Sequence, residues 1–199
     1  MAQAKTLMEM AGVTPAAPDP AETALVLIDC QREYVDGVLP LPGVEAALAE
    51  AGRVLAFARD KAMPVIHIQH RGREGALFDP TTPRFEIHPV VTPAAGEPVI
   101  EKGLPNAFAG TDLQAKLEDT GRRQVLFVGF MTHMCVSSTA RAALDLGFAG
   151  TVVAAACATR DLPDGAGGVV AAADLHRAEL AALSDRFATI LPDAGALRP

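Results

Sequence analysis

The most constraining feature of this chain is an alternation: a short apolar run, then a polar loop, then a segment with helical spacing, repeated along most of its length. Ala24 to Asp29 (ALVLID), Pro64 to Gln69 (PVIHIQ), Pro98 to Glu101 (PVIE), Gln124 to Gly129 (QVLFVG), Thr151 to Ala155 and Phe187 to Leu191 read as strands. Between them, Val44 to Lys61 has helical spacing, with Leu48, Val54, Leu55 and Ala58 on an inner face. Thr111 to Thr120 reads as a helix opened by a capping box of Thr111 with Gln114. Cys135 to Leu146 reads as a helix closed by Gly147 at C′, and Gly168 to Ser184 as the last helix. Such alternation implies parallel strands joined by right-handed crossovers, with helices on both faces: an α/β fold of three layers.

The 199 residues suit one such domain. Pro15, Pro18 and Pro20 break any regular element near the start, so residues 1–22 read as an arm and residues 23–199 as the domain. Residues 71–97 are rich in Gly, Pro and charge; a loop of that length in a compact domain is usually functional. The net charge is −7 and the basic residues are scattered, which argues against nucleic acid and membrane surfaces as partners. No apolar h-region marks the N-terminus and no stretch approaches a bilayer span, so the cytoplasm is the expected compartment. Three cysteines without CxxC spacing form neither a disulfide framework nor a zinc site.

In a doubly wound sheet, ligands bind beyond the carboxyl ends of the strands. Asp29 ends the first strand, Lys102 follows the third, and Cys135 comes after the fourth, past the loop Gly129 to Met134. A thiol acts as a nucleophile only as its thiolate, which a helix N-terminus and a nearby ammonium would stabilise. A carboxylate could take the thiol proton and return it to a leaving amine, while free turn amides could hold an oxyanion. Each residue alone also has an ordinary reading: a core thiol, a loop cap, a surface charge. Their joint placement favours acyl transfer.

The segments LVLIDCQREYVDG (25–37), VIEKGLPNAFAGTDL (99–113) and VLFVGFMTHMCVSSTARAALDLGF (125–148) resemble the isochorismatase-like cysteine hydrolase superfamily. The third, with its G-x-x-T-x-x-C-V pattern, is the most specific. The resemblance runs in order from about Thr23 to Leu191 and looks closest to streptothricin hydrolase-like members. It implies a six-stranded parallel, Rossmann-like sheet and a triad in which Asp29 is general base and acid, Lys102 the charge partner and Cys135 the nucleophile. It also implies a cis peptide bond between Phe130 and Met131, with the amides of Met131 and Cys135 turned toward the oxyanion. The implied reaction is hydrolysis of a C–N bond in a small amide, cyclic amide or ureide through a thioester. Gln31, Tyr34 and Phe108 fall where the family lines its substrate pocket, Gln31 steadying its loop. The superfamily commonly assembles as dimers or tetramers, so a homo-oligomer is expected.

The nicotinamidase branch of that superfamily binds a metal through an Asp-x-His pair. This chain has His67 and His70 instead, three apart on a strand and so pointing to opposite faces, and no metal or other cofactor is expected. His133, in the turn before Cys135, is expected to face solvent or a neighbouring subunit; Arg84, Glu86 and His88 belong to the long loop. Two alternatives remain open. One is a vinyl-ether hydrolase of the isochorismatase type, which would need free cations such as Arg32, Arg71, Arg73 and Arg84 around a dianion. The other is a non-catalytic assembly protein of the same fold.

Overall fold

The computed structural model describes residues 4–197. In chain order its main elements are a short helix α1 (Leu7–Met10), β1 (Thr23–Ile28), α2 (Val44–Asp60), β2 (Val65–His70), β3 (Val99–Lys102), α3 (Leu113–Asp119), β4 (Gln124–Phe130), α4 (Ser137–Asp145), β5 (Ala149–Ala158), β6 (Leu162–Pro163), β7 (Val169–Val170), α5 (Ala172–Arg186) and β8 (Ala188–Leu191). Six strands form one sheet in the order β3-β2-β1-β4-β5-β8, every neighbouring pair parallel, as the alternation predicts. The strand order reverses direction at β1 and β4, and the candidate residues stand around that point.

The central strand β1 is buried along its whole length because both faces of the sheet are covered. Leu25 and Leu27 join Leu126, Val128 and the inner stripe of α2 (Leu48, Ala51, Val54, Leu55, Ala58) in one core. Ala24, Val26 and Ile28 join Val125 and Phe127 in the other, packed against Leu113 and Leu117 of α3, Ala140 and Ala143 of α4, and Leu180 and Leu183 of α5. Each large aliphatic buried in this way contributes about 1.5–3 kcal/mol, so the sheet is the rigid part of the molecule.

Several boundaries differ from the sequence reading. The Thr111–Gln114 capping box does not form: the Thr111 hydroxyl donates to the Ala107 carbonyl (2.5 Å), Gln114 reaches Glu118 instead, and the helix starts at Leu113. β5 runs on to Ala158, since Cys157 and Ala158 pair with Gly129 and Phe130 past an irregularity in register. The segment before α5 holds the small β6–β7 hairpin, and α5 begins at Ala172 rather than Gly168. Near the N-terminus, α1 docks on α5 through a hydrogen bond from the Leu7 amide to Asp185 (2.7 Å). Among the described residues no helix is long and apolar enough to cross a membrane.

At the end of the sheet away from the candidate residues, Glu97 receives Arg59 on both carboxylate oxygens (2.8 Å each), the Ala94 amide (2.9 Å) and buried His67 (2.9 Å). The guanidinium of Arg59, first among these partners, holds the Glu97 carboxyl down at about 2. A depressed carboxyl stabilises the fold fully above its unfolded value near 4.5, and that contribution fades as pH falls toward 2. Glu97→Gln is therefore expected to remove on the order of 1–3 kcal/mol at pH 7, and to flatten the stability curve between about pH 4.5 and 2. Urea unfolding across that range checks it; equal slopes for the two proteins would refute the assignment.

Candidate active site

Three parallel strands deliver the site. Asp29 directly follows β1, Lys102 ends β3, and Cys135 lies in the turn after β4. All three are buried, at 0%, 2% and 4% exposure. Lys102 Nζ stands 2.7 Å from Asp29 Oδ2 and 3.3 Å from Cys135 Sγ, so the three predicted residues meet in one place. The lysine side chain reaches them from the far edge of the sheet, and no other ion pair touches Asp29 among the described residues.

Local backbone explains the aim of each group. Asp29 adopts φ +50°, a left-handed conformation that Asp tolerates better than most residues and that turns its carboxylate out of the strand direction. Gly129, next to Ile28 in register, has φ +120°; a Cβ there would sit 2.0 Å from the Ile28 carbonyl oxygen, so only glycine lets β4 approach β1 at this point. The Phe130–Met131 peptide bond is cis. Cys135 then sits inside a five-residue π turn, Thr132–Val136, closed by the Val136 amide on the Met131 carbonyl (3.2 Å). The helix proper starts at Ser137 and ends with Gly147 at φ +83°. Cys135 thus lies two residues before α4 rather than at its first residue.

The electrostatics differ from the sequence expectation of a stabilised thiolate. Burial, and then the Asp29 charge, push the Cys135 thiol up to about 12 against the pull of Lys102. Asp29 is also raised, by burial first, with Lys102 opposing. The reason is charge balance. Asp29 and Lys102 neutralise each other, and a thiolate would add an uncompensated negative charge in a dry site. The resting arrangement is a thiol beside a carboxylate–ammonium pair. Apart from the close Lys102 ammonium, neither Asp29 oxygen has a hydrogen-bond partner among the described residues, which leaves the carboxylate open to a proton.

His70 was absent from the expected site residues. It ends β2 as the register partner of Lys102, and its Nδ1 lies 3.0 Å from Lys102 Nζ. His67, as the strand spacing predicts, points elsewhere, to Glu97. Asp29, His70 and Cys135 offer ligand atoms within 4.8 Å of one another, but Lys102 Nζ already stands among them, so a metal ion placed there would confront an ammonium.

The other expected positions separate by role. Gln31 is fully buried and its amide is spent: Nε2 donates to the carbonyls of His70 (3.0 Å) and Phe85 (2.8 Å), and Oε1 accepts from the His70 amide (2.8 Å). Its side chain clamps the loop. Tyr34 is buried edge-on against Phe78 and Phe130, and Phe108 stacks on Phe148. Cys30 lies in the core on the α2 face, away from Cys135, and Cys157 is buried near the end of β5. His133 does not face open solvent: it is half-buried with Nδ1 on the Thr159 hydroxyl. Arg84 approaches buried Glu33 at 3.8 Å, Glu86 pairs with Arg32 at 3.4 Å, and His88 accepts from the Val90 amide.

Known proteins resemble this chain in sequence and fold. The Isochorismatase domain family matches residues 23–194. A secreted isochorismatase effector, Isc1, from Verticillium dahliae is 37% identical over 92% of this chain and 94% of its own length. A streptothricin hydrolase from Streptomyces noursei is 36% identical over 83% of this chain and 57% of its own. The crystal structure of an isochorismatase from Pseudomonas putida KT2440 superposes with a TM-score of 0.93 at 38% identity, covering 98% of this chain and 100% of that one. With its ordered strand-end residues, parallel sheet and these relatives together, the chain belongs to the isochorismatase domain family of hydrolases.

Proposed function

We propose that this chain is a cysteine-dependent amidohydrolase acting on a small amide, cyclic amide or ureide. The observation that carries the reading is the buried contact of Lys102 Nζ with both Asp29 (2.7 Å) and Cys135 (3.3 Å). Cys135 is the nucleophile, Asp29 the proton carrier and Lys102 the charge partner. Because the resting sulfur is a thiol, deprotonation and attack are coupled: Sγ bonds to the carbonyl carbon as its proton passes to Asp29. The developing oxyanion is received by the amides of Met131 and Cys135, and the Met131 amide has no other acceptor among the described residues. Collapse breaks the C–N bond, and Asp29 returns the proton to the departing nitrogen. Water then attacks the thioester, loses its proton to Asp29, and the sulfur leaves and recovers that proton. The product is a carboxylic acid from an amide or a carbamic acid from a ureide, and the thiol is restored.

Likeness to the streptothricin hydrolase supports the C–N class. The vinyl-ether alternative is disfavoured because three of its four arginines already face carboxylates: Arg32 pairs with Asp36 and Glu86, Arg71 with Glu101, and Arg84 faces Glu33, which leaves Arg73 alone without an ion pair among the described residues. Tyr34 and Phe108 shape the pocket through packing, with a homo-oligomer in the cytoplasm as the working form.

Acid quenching during turnover of a panel of amides and ureides, followed by peptide mass spectrometry, tests the reading. The expected result is an acyl adduct on the Cys135 peptide together with ammonia or amine release. Turnover with no adduct under any quench time would sink it.

A further inference from the structure

An ammonium has three N–H donors and no acceptor. The Lys102 side chain is fully buried, so water cannot serve the donor that Asp29 and Cys135 leave over. Among the described residues one other acceptor touches it: His70 Nδ1, at 3.0 Å. We propose that His70 is a positioning residue of this site, accepting the third N–H of Lys102 and so aiming the ammonium at Asp29 and Cys135 together. This rests on the proposed role of Cys135.

Four observations converge on it. In the parallel register of β2 and β3, His70 is the direct partner of Lys102, so both side chains leave the sheet side by side. The His70 backbone is held at both its amide and its carbonyl by the buried Gln31 amide, which leaves little play in the strand end. Its ring is wedged edge-on against Phe78 at 4.9 Å. Beyond the ring lies a cleft of about 430 Å³ lined by Arg71, Arg73 and Leu77. An ammonium without its inner acceptor would swing toward water there and away from sulfur.

The role demands a neutral ring protonated on Nε2. Burial, and then the Lys102 charge, hold the His70 imidazolium down at about 4, which fits. The titratable and charged groups facing this cluster are Asp29, Cys135 and Lys102 within it, Tyr34 across the site, and Arg71 and Arg73 along the cleft.

Two measurements decide. Long-range proton–nitrogen NMR of the unmodified protein at neutral pH is expected to show His70 as the Nε2–H tautomer; an Nδ1–H tautomer or an imidazolium would overturn the proposal. The second is the rate of Cys135 alkylation by iodoacetamide across pH 6 to 10, read by mass spectrometry. His70→Leu and His70→Ala, which remove the acceptor, are expected to react about tenfold more slowly, with the profile displaced upward. His70→Asn keeps an acceptor near the Nδ1 position and is expected to stay within about threefold of the parent. Parent-like rates in the apolar variants, or an Asn variant as slow as they are, would overturn it. Should the apolar variants not fold, the Asn variant and the tautomer still decide. A Cys135 that resists alkylation in the parent at every pH would instead count against the proposed function.

Discussion

Cys135→Ala is expected to lower amide or ureide hydrolysis by at least about 10⁴-fold while leaving the protein folded. The large loss follows from chemistry rather than structure. No other thiol can take over, because Cys30 lies in the opposite core and Cys157 is buried near the end of β5. The small structural cost follows from size: Cys135 is almost fully enclosed, and losing one sulfur atom removes little packing. Ammonia release measures the first effect and thermal unfolding the second. Unchanged amide turnover would remove Cys135 from the mechanism. Retained hydrolysis of a vinyl ether by the same variant would move the protein to the isochorismatase reaction instead.

The second large effect concerns Lys102. Lys102→Met leaves the Asp29 carboxylate buried without its counter-charge, and is expected to cost about 3–5 kcal/mol of stability as well as nearly all activity. The double variant Asp29→Asn with Lys102→Met removes both charges. It is expected to regain most of that stability and none of the activity, since buried ion pairs contribute little beyond their own desolvation. Chemical denaturation of the two single variants and the double variant gives the coupling directly. Additive losses would show that the pair does not act as a unit. Recovered activity in the double variant would show that neither group is needed for proton transfer.

The strands, and the three residues that meet at their carboxyl ends, were legible in the sequence for a common reason. A sheet buried on both faces writes itself as apolar runs, and function at its carboxyl edge puts the chemistry at the next few residues. Asp29, Lys102 and Cys135 could be picked out by that rule and then by the resemblance. What was not legible depended on register or on tertiary pairing. His70 becomes a partner of Lys102 only when β2 and β3 align, and no local pattern encodes that alignment. The stretch Ala154 to Ala158 favours helix by composition, yet its end is drawn into β5 by pairing with Gly129 and Phe130. The Thr111 hydroxyl found a carbonyl four residues back and left the capping box unmade. The thiolate expectation failed because charge proximity was weighed without burial: the Lys102 ammonium is already matched by Asp29.

The Gln31 clamp has an implication for how such a site diversifies. Every hydrogen bond it makes across to residues 70 and 85 ends on a main-chain atom, so the loop is anchored without reference to its side chains. Sequence drift along that stretch can therefore recolour the mouth of the pocket while its attachment persists. Substrate choice and catalytic framework become separately heritable: one is written in exchangeable side chains, the other in strand ends held by a rigid sheet.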